Sequence, residues 1–325
     1  MAPKPKPATS TSPQEDEDQP LTETLLDFAD LGKTVDCTGF AYRSASCISK
    51  KIGSIKAIQN YQHLRSIDFS QNSIKDIAPL VGLKSIVRLN LADNSISSLK
   101  GWEVDDGEPF PYLVQLNLSG NVLSALPPLP MKFLKTVNLA RNEIASCQDF
   151  PGHEQLEVMD LSEQRSNKMT SLGGVGSMPL LKKLDVSSND LEDINGLADL
   201  PALEELSLGG NKFKELQGPW QDFPEIKSLD VSKCQLEAVK ELEPLRNLPK
   251  LRTLQVHGNP FCEALEDTLR IEVLICHWRL TNLDGEPITE EEMESARQLN
   301  VEREEERLRK KAEEEAAQAA AEEGG

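Results

Sequence analysis

Four side chains in the last quarter of the chain are of types that bind zinc. Thiolate and imidazole groups are the ligands that zinc prefers, and the candidates here are His257, Cys262, Cys276 and His277. Their spacing matches none of the usual zinc patterns, in which closely spaced ligands come in two pairs. We therefore expect no metal site in this protein, and we expect no other cofactor.

The other groups that could do chemistry do not form a catalytic set. The chain has 54 acidic residues and 4 histidines, but the acidic residues follow a sequence repeat and the scattered histidines offer no paired base. The sequence also lacks a glycine-rich phosphate loop and the glycine-flanked serine of a nucleophile elbow. These features predict a binding protein, not an enzyme, and no small-molecule substrate.

Asparagines at fixed distances from leucines form the strongest pattern in the chain. The stretch "LVQLNLSGNVL", residues 113–123, follows the template L-x-x-L-x-L-x-x-N-x-L. With other apolar residues allowed at the leucine positions, the template begins at residues 42, 64, 86, 113, 134, 156, 181, 203, 226 and 251. Such steps, mostly close to 22 residues, are typical of leucine-rich repeats. The sequence predicts an α/β solenoid of about ten repeats.

The repeated asparagine has a structural explanation. Each repeat forms a short strand and then turns sharply, which leaves backbone N–H and C=O groups without strand partners. A buried carboxamide can donate to and accept from such groups. We expect a stacked ladder that consists of Asn72, Asn94, Asn121, Asn142, Asn189, Asn211, Cys234 and Asn259. In the repeat that begins at Leu156, three extra residues lie around Gln164 and Asn167, and no ladder residue is assigned.

The segments before the repeats differ from them in composition. Residues 1–20 contain five prolines and an acidic run, so they are predicted to form a disordered tail. Residues 21–41 are predicted to form a helical N-terminal cap over the repeats, residues 42–262. The helical stripe on which this prediction depends consists of Leu21, Leu25, Phe28 and Leu31.

Two further segments follow the repeats. Residues 263–289 are predicted to form the C-terminal cap, with a helix from Ala264 to about His277. The side chains expected to close the core there are Leu265, Leu269, Val273 and Trp278. Residues 290–325 are predicted to form a charged helix with a frayed end, because a capping box at Thr289 and Glu292 precedes a run of helix-forming residues. With few apolar residues, this helix should project from the body, and deleting it should leave the solenoid folded.

Three groups of residues are candidates for contacts with a partner. A polar column on the concave face of the solenoid includes Asp68, Asp160, Asp185 and Asp230, beside a column of small residues. Longer repeats carry Trp102 and Trp220, and the charged helix carries Arg303 and Arg307. The alternatives are that the polar column only faces solvent, that the tryptophans pack over the core, and that the helix is a solvated tail.

Composition limits the classes of partner. The net charge of −19 argues against nucleic acid or an anionic membrane as the main partner. No stretch approaches the roughly 20 apolar residues that cross a bilayer, and the N-terminus lacks the apolar segment of a signal peptide. The six cysteines are spread thinly, without the clusters that flank extracellular solenoids, which favours the reducing cytoplasm.

Both ends of the solenoid resemble a particular family. Three stretches carry the resemblance: "LTETLLDFADLGKTVDCTGFAYRSASCISKKIGSIKAIQNYQHLRSIDFSQNSIKDIAPL", "LRNLPKLRTLQVHGNPFC" and "LTNLDGEPITEEEMESA". They look like parts of the leucine-rich-repeat radial spoke proteins of motile cilia and flagella, the family of leucine-rich repeat-containing protein 23 (radial spoke protein 15). The resemblance implies a scaffold in the ciliary axoneme whose partners are other radial spoke or axonemal proteins. This sequence departs from the family's pattern in the insert at residues 101–112, the bulge near Arg165 and a shorter alanine-rich tail.

Other classes of repeat protein remain as alternatives. A phosphatase-regulating leucine-rich repeat subunit has the same repeat length but binds its partner with concave aromatic side chains, which the columns above lack. An acidic nuclear repeat protein that acts as a histone chaperone would have a nearly pure Asp/Glu tail, whereas six basic residues interrupt this one. Another axonemal, dynein-associated repeat adaptor is the third alternative.

Overall fold

A long parallel β-sheet dominates the computed structural model, which describes residues 18–34, 38–102, 108–166, 168–198 and 200–323, with side chains up to residue 313. Thirteen strands of the described residues form this sheet. In chain order they are β2 (Asp27–Lys33), β3 (Phe40–Ser46), β5 (Ser66–Asp68), β6 (Arg88–Asn90), β7 (Gln115–Asn117), β8 (Thr136–Asn138), β9 (Val158–Asp160), β10 (Lys183–Asp185), β11 (Glu205–Ser207), β12 (Ser228–Asp230), β13 (Thr253–Gln255), β14 (Asn282–Leu283) and β15 (Glu286–Pro287). A separate parallel pair consists of β1 (Gln19–Pro20) and β4 (Ile52–Ser54), so the end of the predicted disordered tail is a strand, and residues 1–17 of that prediction lie outside the described residues.

Each predicted repeat contributes one strand, so the predicted α/β leucine-rich repeat solenoid is confirmed. Neighbouring strands pair in parallel with equivalent template positions opposite each other, for example Leu89 with Leu116 and Leu116 with Val137. The central residue of each three-residue strand from β5 to β13 is buried. Because side chains alternate along a strand, the flanking residues lie on the opposite face of the sheet.

The core lies between the sheet and the segments that return to the start of the next strand. In the repeat that begins at Leu64, Phe69, Ile74 and Leu80 are fully buried. Each such side chain stabilises the fold by about 1.5–3 kcal/mol relative to an exposed one. The returning segments are mostly irregular and contain 3₁₀ turns at Lys56–Asn60, Ala78–Leu80, Lys100–Trp102, Trp220–Asp222 and Val239–Asn247, and the caps contain 3₁₀ turns at Glu23–Leu25 and Glu266–Thr268.

The N-terminal cap is a β-hairpin, so the prediction of a helical cap over residues 21–41 is wrong. After the short turn at Glu23–Leu25, β2 pairs antiparallel with β3 and continues the sheet by one strand. Asp30 interrupts this pairing in a left-handed conformation, with φ of 55°, that an α-helix does not contain. The hairpin forms because β3 would otherwise leave the N–H and C=O groups of a sheet edge unpaired.

The C-terminal cap contains two helices, α1 (Pro260–Leu265) and α2 (Leu269–Cys276). Val273 is buried as predicted, and Leu265 and Leu269 are partly buried against the core. Trp278 does not close the core, since 65% of its surface is exposed. It follows the end of α2 at Cys276 and lies outside the face of that helix that packs on the core. The following residues form the antiparallel pair β14 and β15, joined by a turn at Asp284 and Gly285, and β14 also pairs with β13.

The charged C-terminal helix, α3 (Glu290–Glu323), does not project along its whole length. Its predicted capping box is present, because Thr289 N–H donates to Glu292 at 2.8 Å and Glu292 N–H donates to the Thr289 hydroxyl at 3.2 Å. The first turns pack against α2, where Met293 is partly buried and Ala296 is 5% exposed. The apolar residues that seemed too few for docking are enough because they fall on one face of the first three turns.

Candidate protein-binding surfaces

The predicted asparagines form a ladder inside the turn that follows each strand. The Nδ2 of Asn121, which is fully buried, donates to the carbonyls of Leu91, Leu118 and Ser119 at 2.9–3.3 Å. Its Oδ1 accepts the N–H of Ile96 at 3.0 Å. The carbonyl of Leu91 belongs to the preceding repeat, so each side chain links two repeats. Equivalent bonds are made by Asn72, Asn94, Asn142, Asn189, Asn211 and Asn259.

Gln164 occupies the ladder position of the repeat that begins at Leu156, and the sequence prediction missed it. Its Nε2 donates to the carbonyls of Leu139, Leu161 and Ser162 at 3.0–3.3 Å, and its Oε1 accepts the N–H of Ile144 at 2.9 Å. Gln164 stands at the template's asparagine position, so the spacing could have identified it. The extra residues that follow obscured the pattern.

Cys234 takes the ladder position of its repeat with a weaker donor. Its thiol lies 3.7 Å from the carbonyl of Leu208 and 3.5 Å from that of Ser232. Burial raises the pKa of this thiol to about 11, so the thiol form predominates at neutral pH. The ladder residues therefore have a structural role, and all of them except the partly buried Asn72 are buried.

The polar column of the concave face holds the turns that follow the strands. One oxygen of each Asp68, Asp160, Asp185 and Asp230 side chain accepts the backbone N–H two residues later, at 2.8–3.0 Å. This is the Asx turn that favours aspartate and asparagine after a strand. Asn90, Asn117 and Asn138 make the same bond. The column therefore has a local structural role before any role in binding.

Two of the four candidate aspartates also accept a hydrogen bond from an asparagine on a neighbouring strand. The second oxygen of Asp68 accepts from Asn90 on the next strand at 3.0 Å, and that of Asp160 accepts from Asn138 at 3.0 Å. Burial raises the pKa of Asp185, and the neighbouring Asp160 adds to this rise, whereas hydrogen bonds from Ser187 oppose it. Because the second oxygens of Asp68 and Asp160 are already bonded, Asp185 and Asp230 are the candidate aspartates best placed to accept a further hydrogen bond from a partner.

A row of ion pairs runs along the residues just before the strands, and the sequence prediction did not identify it. Glu157 lies between Lys135 at 2.7 Å and Lys182 at 2.9 Å. Hydrogen bonds from these two lysines lower the pKa of Glu157 to about 2. The row continues with Glu204 and Lys227, which are 2.7 Å apart. Exposed pairs of this kind contribute little to stability, but they neutralise one another at this edge of the concave face.

Neither candidate tryptophan of the longer repeats is exposed. Trp102 is 2% exposed, donates from Nε1 to the carbonyl of Ile77 at 3.2 Å and packs edge-on against Phe110. Trp220 is fully buried and donates from Nε1 to the carbonyl of Leu216 at 2.6 Å. Both rings fill the core beside the longer loops, because a buried indole loses no hydrogen bond when its N–H finds a carbonyl. Their assignment as partner contacts is wrong.

The two candidate arginines of α3 lie in different surroundings. The guanidinium of Arg303 makes a paired contact with the carboxylate of Glu272 in α2, at 2.6 and 2.8 Å. Arg303 therefore helps to dock α3 on the C-terminal cap. Arg307 lies one turn further on, is 76% exposed at its side chain and pairs with Glu304 of the same helix at 3.3 Å. Arg307 is thus the candidate of the two that a partner can reach.

The zinc-binding residue types near the C-terminus are engaged separately. Cys262 donates to the carbonyl of Val256, and the buried His277 contacts the carbonyl of Leu245 at 3.0 Å through Nε2. Burial lowers the pKa of His277 and raises that of Cys276. Within the described residues, no three histidine, cysteine or acidic side chains come together in a way that could hold a metal ion. Among all the residues that the structure describes, no helix is long and apolar enough to span a membrane.

Trp278 is the exposed aromatic side chain that the sequence prediction placed in the core. Its ring lies beside the guanidinium of Arg279, whose central carbon is 5.1 Å from the ring centroid. Trp278 belongs to neither the repeat template nor the stripe of α2, so no periodic signal marks it as exposed. Its neighbours on α3 come from a segment that the sequence did not place beside it.

Two family models match parts of the solenoid. The model described as "Leucine Rich repeats (2 copies)" matches residues 62–103, and the model described as "Leucine Rich repeat" matches residues 177–194. These matches fall on the second and third repeats and on the repeat that begins at Leu181. They agree with the repeat register of the sheet.

The similarity to curated proteins extends over most of the chain. Leucine-rich repeat-containing protein 23 of Homo sapiens is 29% identical in an alignment 311 residues long, which covers 88% of this chain and 82% of that protein. The protein of the same name from Bos taurus is 28% identical and covers 85% of this chain and 79% of its own length. The resemblance drawn from the two ends of the solenoid is confirmed.

Solved structures share the fold. A leucine-rich repeat protein of Leptospira interrogans superposes with a TM-score of 0.55 at 24% identity and covers 76% of this chain and 62% of that one. The TLR13 chain of a crystallised complex with ssRNA13 also gives a TM-score of 0.55, at 23% identity, covering 75% of this chain and 38% of its own. Identities this low show a common solenoid architecture alone.

Proposed function

Because the chain is a leucine-rich repeat protein that is similar to leucine-rich repeat-containing protein 23 over most of its length, we propose that it is a scaffold of the ciliary axoneme. In this proposal it is a structural, non-enzymatic component of a radial spoke, binds other radial spoke or axonemal proteins, and is needed for normal ciliary motility. The observation that carries the proposal is the extent of the similarity, which covers 88% of this chain and 82% of the human protein.

The architecture supports a scaffold in two ways. Repeat solenoids are extended surfaces that typically bind proteins, and each repeat here is tied to the next by a ladder side chain and strand pairing. The docked part of α3 then fixes the direction in which the exposed remainder of the helix leaves the cap. A partner bound to the solenoid and another bound to the helix would therefore be held at a set separation.

The proposal is tested in ciliated cells that lack their own copy of the related protein. We expect a tagged version of this chain to reach the axoneme, to remain there after detergent extraction, and to restore both radial spokes and normal beating. The human relative, tagged in the same way, is the positive control. A tagged chain that is diffuse in the cytoplasm, or that enters the axoneme without restoring spokes or beating, would contradict the proposal.

A destabilised version separates a failure of folding from a failure of function. The control is Leu118→Ala, because Leu118 is fully buried and its loss opens the core between repeats. The abundance of this variant in cells should be lower than that of the parent chain. The amount of the variant that reaches the axoneme should follow the amount of folded protein. Equal abundance of the parent chain and this variant would show that the localisation assay does not report on the folded solenoid.

A further inference from the structure

A cleft between α2 and α3 surrounds the exposed ring of Trp278, and we name it the Trp278 cleft. Two adjoining cavities form it. The first, of about 260 Å³, has Leu274, Trp278, Met293 and Ala296 in its lining. The second, of about 400 Å³, has Arg246, Trp278, Arg279 and Glu304 in its lining. Trp278 lies between them and is 65% exposed, the largest exposed side chain of the C-terminal cap.

The first cavity has an apolar floor. Leu274 is 1% exposed, Ala296 is 5% exposed, and Met293 packs partly buried against the core. These side chains are held in place because α3 is tied to α2 by the contacts of Arg303 with Glu272 and of Arg270 with Glu292. The cleft is thus a preformed groove between two helices, with an aromatic ring at its centre.

The rim of the cleft is basic although the chain as a whole carries a net charge of −19. Arg246 and Arg279 are both exposed, and among the described residues neither has a carboxylate within 4.0 Å. Arg246 donates to the carbonyls of Cys276 and Ile275, and Arg279 donates to that of Pro249 and lies over the Trp278 ring. The acidic residue of the cleft, Glu304, is paired with Arg307. Unpaired arginines beside an exposed tryptophan are typical of binding hot spots.

We propose that the Trp278 cleft binds an acidic amphipathic helix of a partner protein. An apolar side chain of the partner packs against the Trp278 ring and the floor of the first cavity, and partner carboxylates pair with Arg246 and Arg279. A helix fits because a groove between two helices accepts the apolar face of a third. The distal part of the same chain's α3 cannot be the occupant, since α3 continues without interruption from Glu290 to Glu323 and leads away from the cleft.

The test uses purified full-length protein and a panel of labelled helical peptides with leucines on one face and glutamates flanking them. We expect the glutamate peptides to bind, and a matched panel with lysines in place of the glutamates not to bind. Trp278→Ala should weaken binding at least about tenfold, as expected for a central aromatic contact. Arg279→Gln should weaken it and reduce its dependence on salt concentration.

A second exposed aromatic provides the matched control. Phe133 is 51% exposed and has Lys132 over its ring at 6.0 Å, so Phe133→Ala removes a similar cation–aromatic pair outside the cleft. This variant should bind the glutamate peptides as the parent does. Melting curves of all variants check that they are folded, which we expect because the replaced side chains are exposed.

Trp278 also reports binding directly. Trp102 and Trp220 are buried, so the fluorescence that acrylamide quenches comes mainly from Trp278, and bound peptide should protect it. The proposal is overturned if no glutamate peptide binds, or if the lysine peptides bind equally well. It is also overturned if the protein dimerises through the cleft and Trp278→Ala makes it monomeric, because the occupant is then a second copy. These outcomes are independent of whether the protein reaches an axoneme.

Discussion

Asn117 and Asn121 lie in the same repeat and have the same side chain, yet their surroundings differ. Asn121 is fully buried and makes three donor contacts and one acceptor contact with backbone groups. Asn117 is partly exposed and holds only the N–H of Ser119, at 3.0 Å. The difference arises because one residue lies inside the turn and the other on the opposite face of the sheet.

Replacing each of these asparagines by alanine should therefore have unequal effects. We expect Asn121→Ala to lower the free energy of unfolding by about 1–3 kcal/mol, because it leaves buried backbone groups without partners. Asn117→Ala should cost less than about 1 kcal/mol, since water can replace its partner. Thermal or urea unfolding of the two variants measures this difference. Equal losses would show that the assigned positions of the two side chains are wrong.

Gln164 makes the ladder contacts with a side chain one methylene longer than asparagine. We expect Gln164→Asn to lose part of these contacts and to destabilise the protein by about 1 kcal/mol, because the shorter amide cannot reach both Leu139 and Ile144. The reciprocal change Asn142→Gln, in a repeat without extra residues, should also destabilise because the longer side chain overfills the turn. Unfolding curves of both variants provide the measurement. An unchanged midpoint for Gln164→Asn would contradict this account of the bulged repeat.

At the level of secondary-structure elements, the docking of α3 depends on a few charged contacts. Glu292 accepts the N–H of Thr289 and binds Arg270, whose Nη2 lies 3.2 Å from its carboxylate. The hydrogen bond from Arg270 is the main cause that lowers the pKa of Glu292 from 4.5 to about 2. The same carboxylate therefore caps the first turn of α3 and ties that turn to α2.

This shift predicts how docking depends on pH. A carboxylate whose pKa is lower in the folded state stabilises that state above its unfolded pKa, and the contribution is lost as the pH falls. We expect the contribution of Glu292 to be complete above about pH 4.5 and to decline as the pH falls toward about 2. The fluorescence of Trp278, which lies in the same cleft as Met293, reports docking.

The variant Glu292→Gln isolates this group from other carboxylates, such as Glu157, that titrate in the same range. At neutral pH we expect its docking to be weaker than that of the parent chain, and the difference between the two should shrink as the pH falls. A constant difference between the parent and this variant across the range would show that Glu292 does not control docking.

For the whole molecule, the division between body and tail falls within α3. Residues up to Arg303 contact the C-terminal cap, and the described side chains beyond Arg303, to residue 313, are exposed. Two truncations should therefore behave differently. A chain that ends at residue 304 should match the full chain in stability. A chain that ends at Thr289 should be less stable, because it loses Met293, Ala296 and the partner of Arg270.

Thermal unfolding of the two truncated chains and the full chain measures this division. The expectation from sequence, that the solenoid stays folded without the residues after Thr289, relied on Trp278 as part of the cap. Because Trp278 is exposed, that removal instead uncovers Leu274 and the rest of the apolar floor of the Trp278 cleft. Equal stability of all three chains would show that the docked turns add nothing to the solenoid.

The sequence by itself determined the repeat, its register and its ladder, because these depend on contacts between equivalent positions of adjacent repeats. The pairing of Leu116 with Val137 and the hydrogen bond from Asn121 to Leu91 are repeated by equivalent residues wherever the template recurs. Counting along the chain is therefore sufficient to identify these contacts. The capping box of α3 is equally local, since Thr289 and Glu292 are three residues apart. Positions that recur periodically in the sequence therefore lie at equivalent places in adjacent repeats.

The tertiary structure alone decided what happens at the ends. The apolar stripe that includes Phe28 and Leu31 suits a helix, but the unpaired edge of β3 makes a strand more favourable there. Likewise, Glu272 and Arg303 are far apart in sequence and become neighbours only when α3 turns back along α2. The exposure of Trp278 follows from the same packing. At an end there is no next repeat, so the outcome depends on which surfaces remain uncovered, and local periodicity contains no information about that.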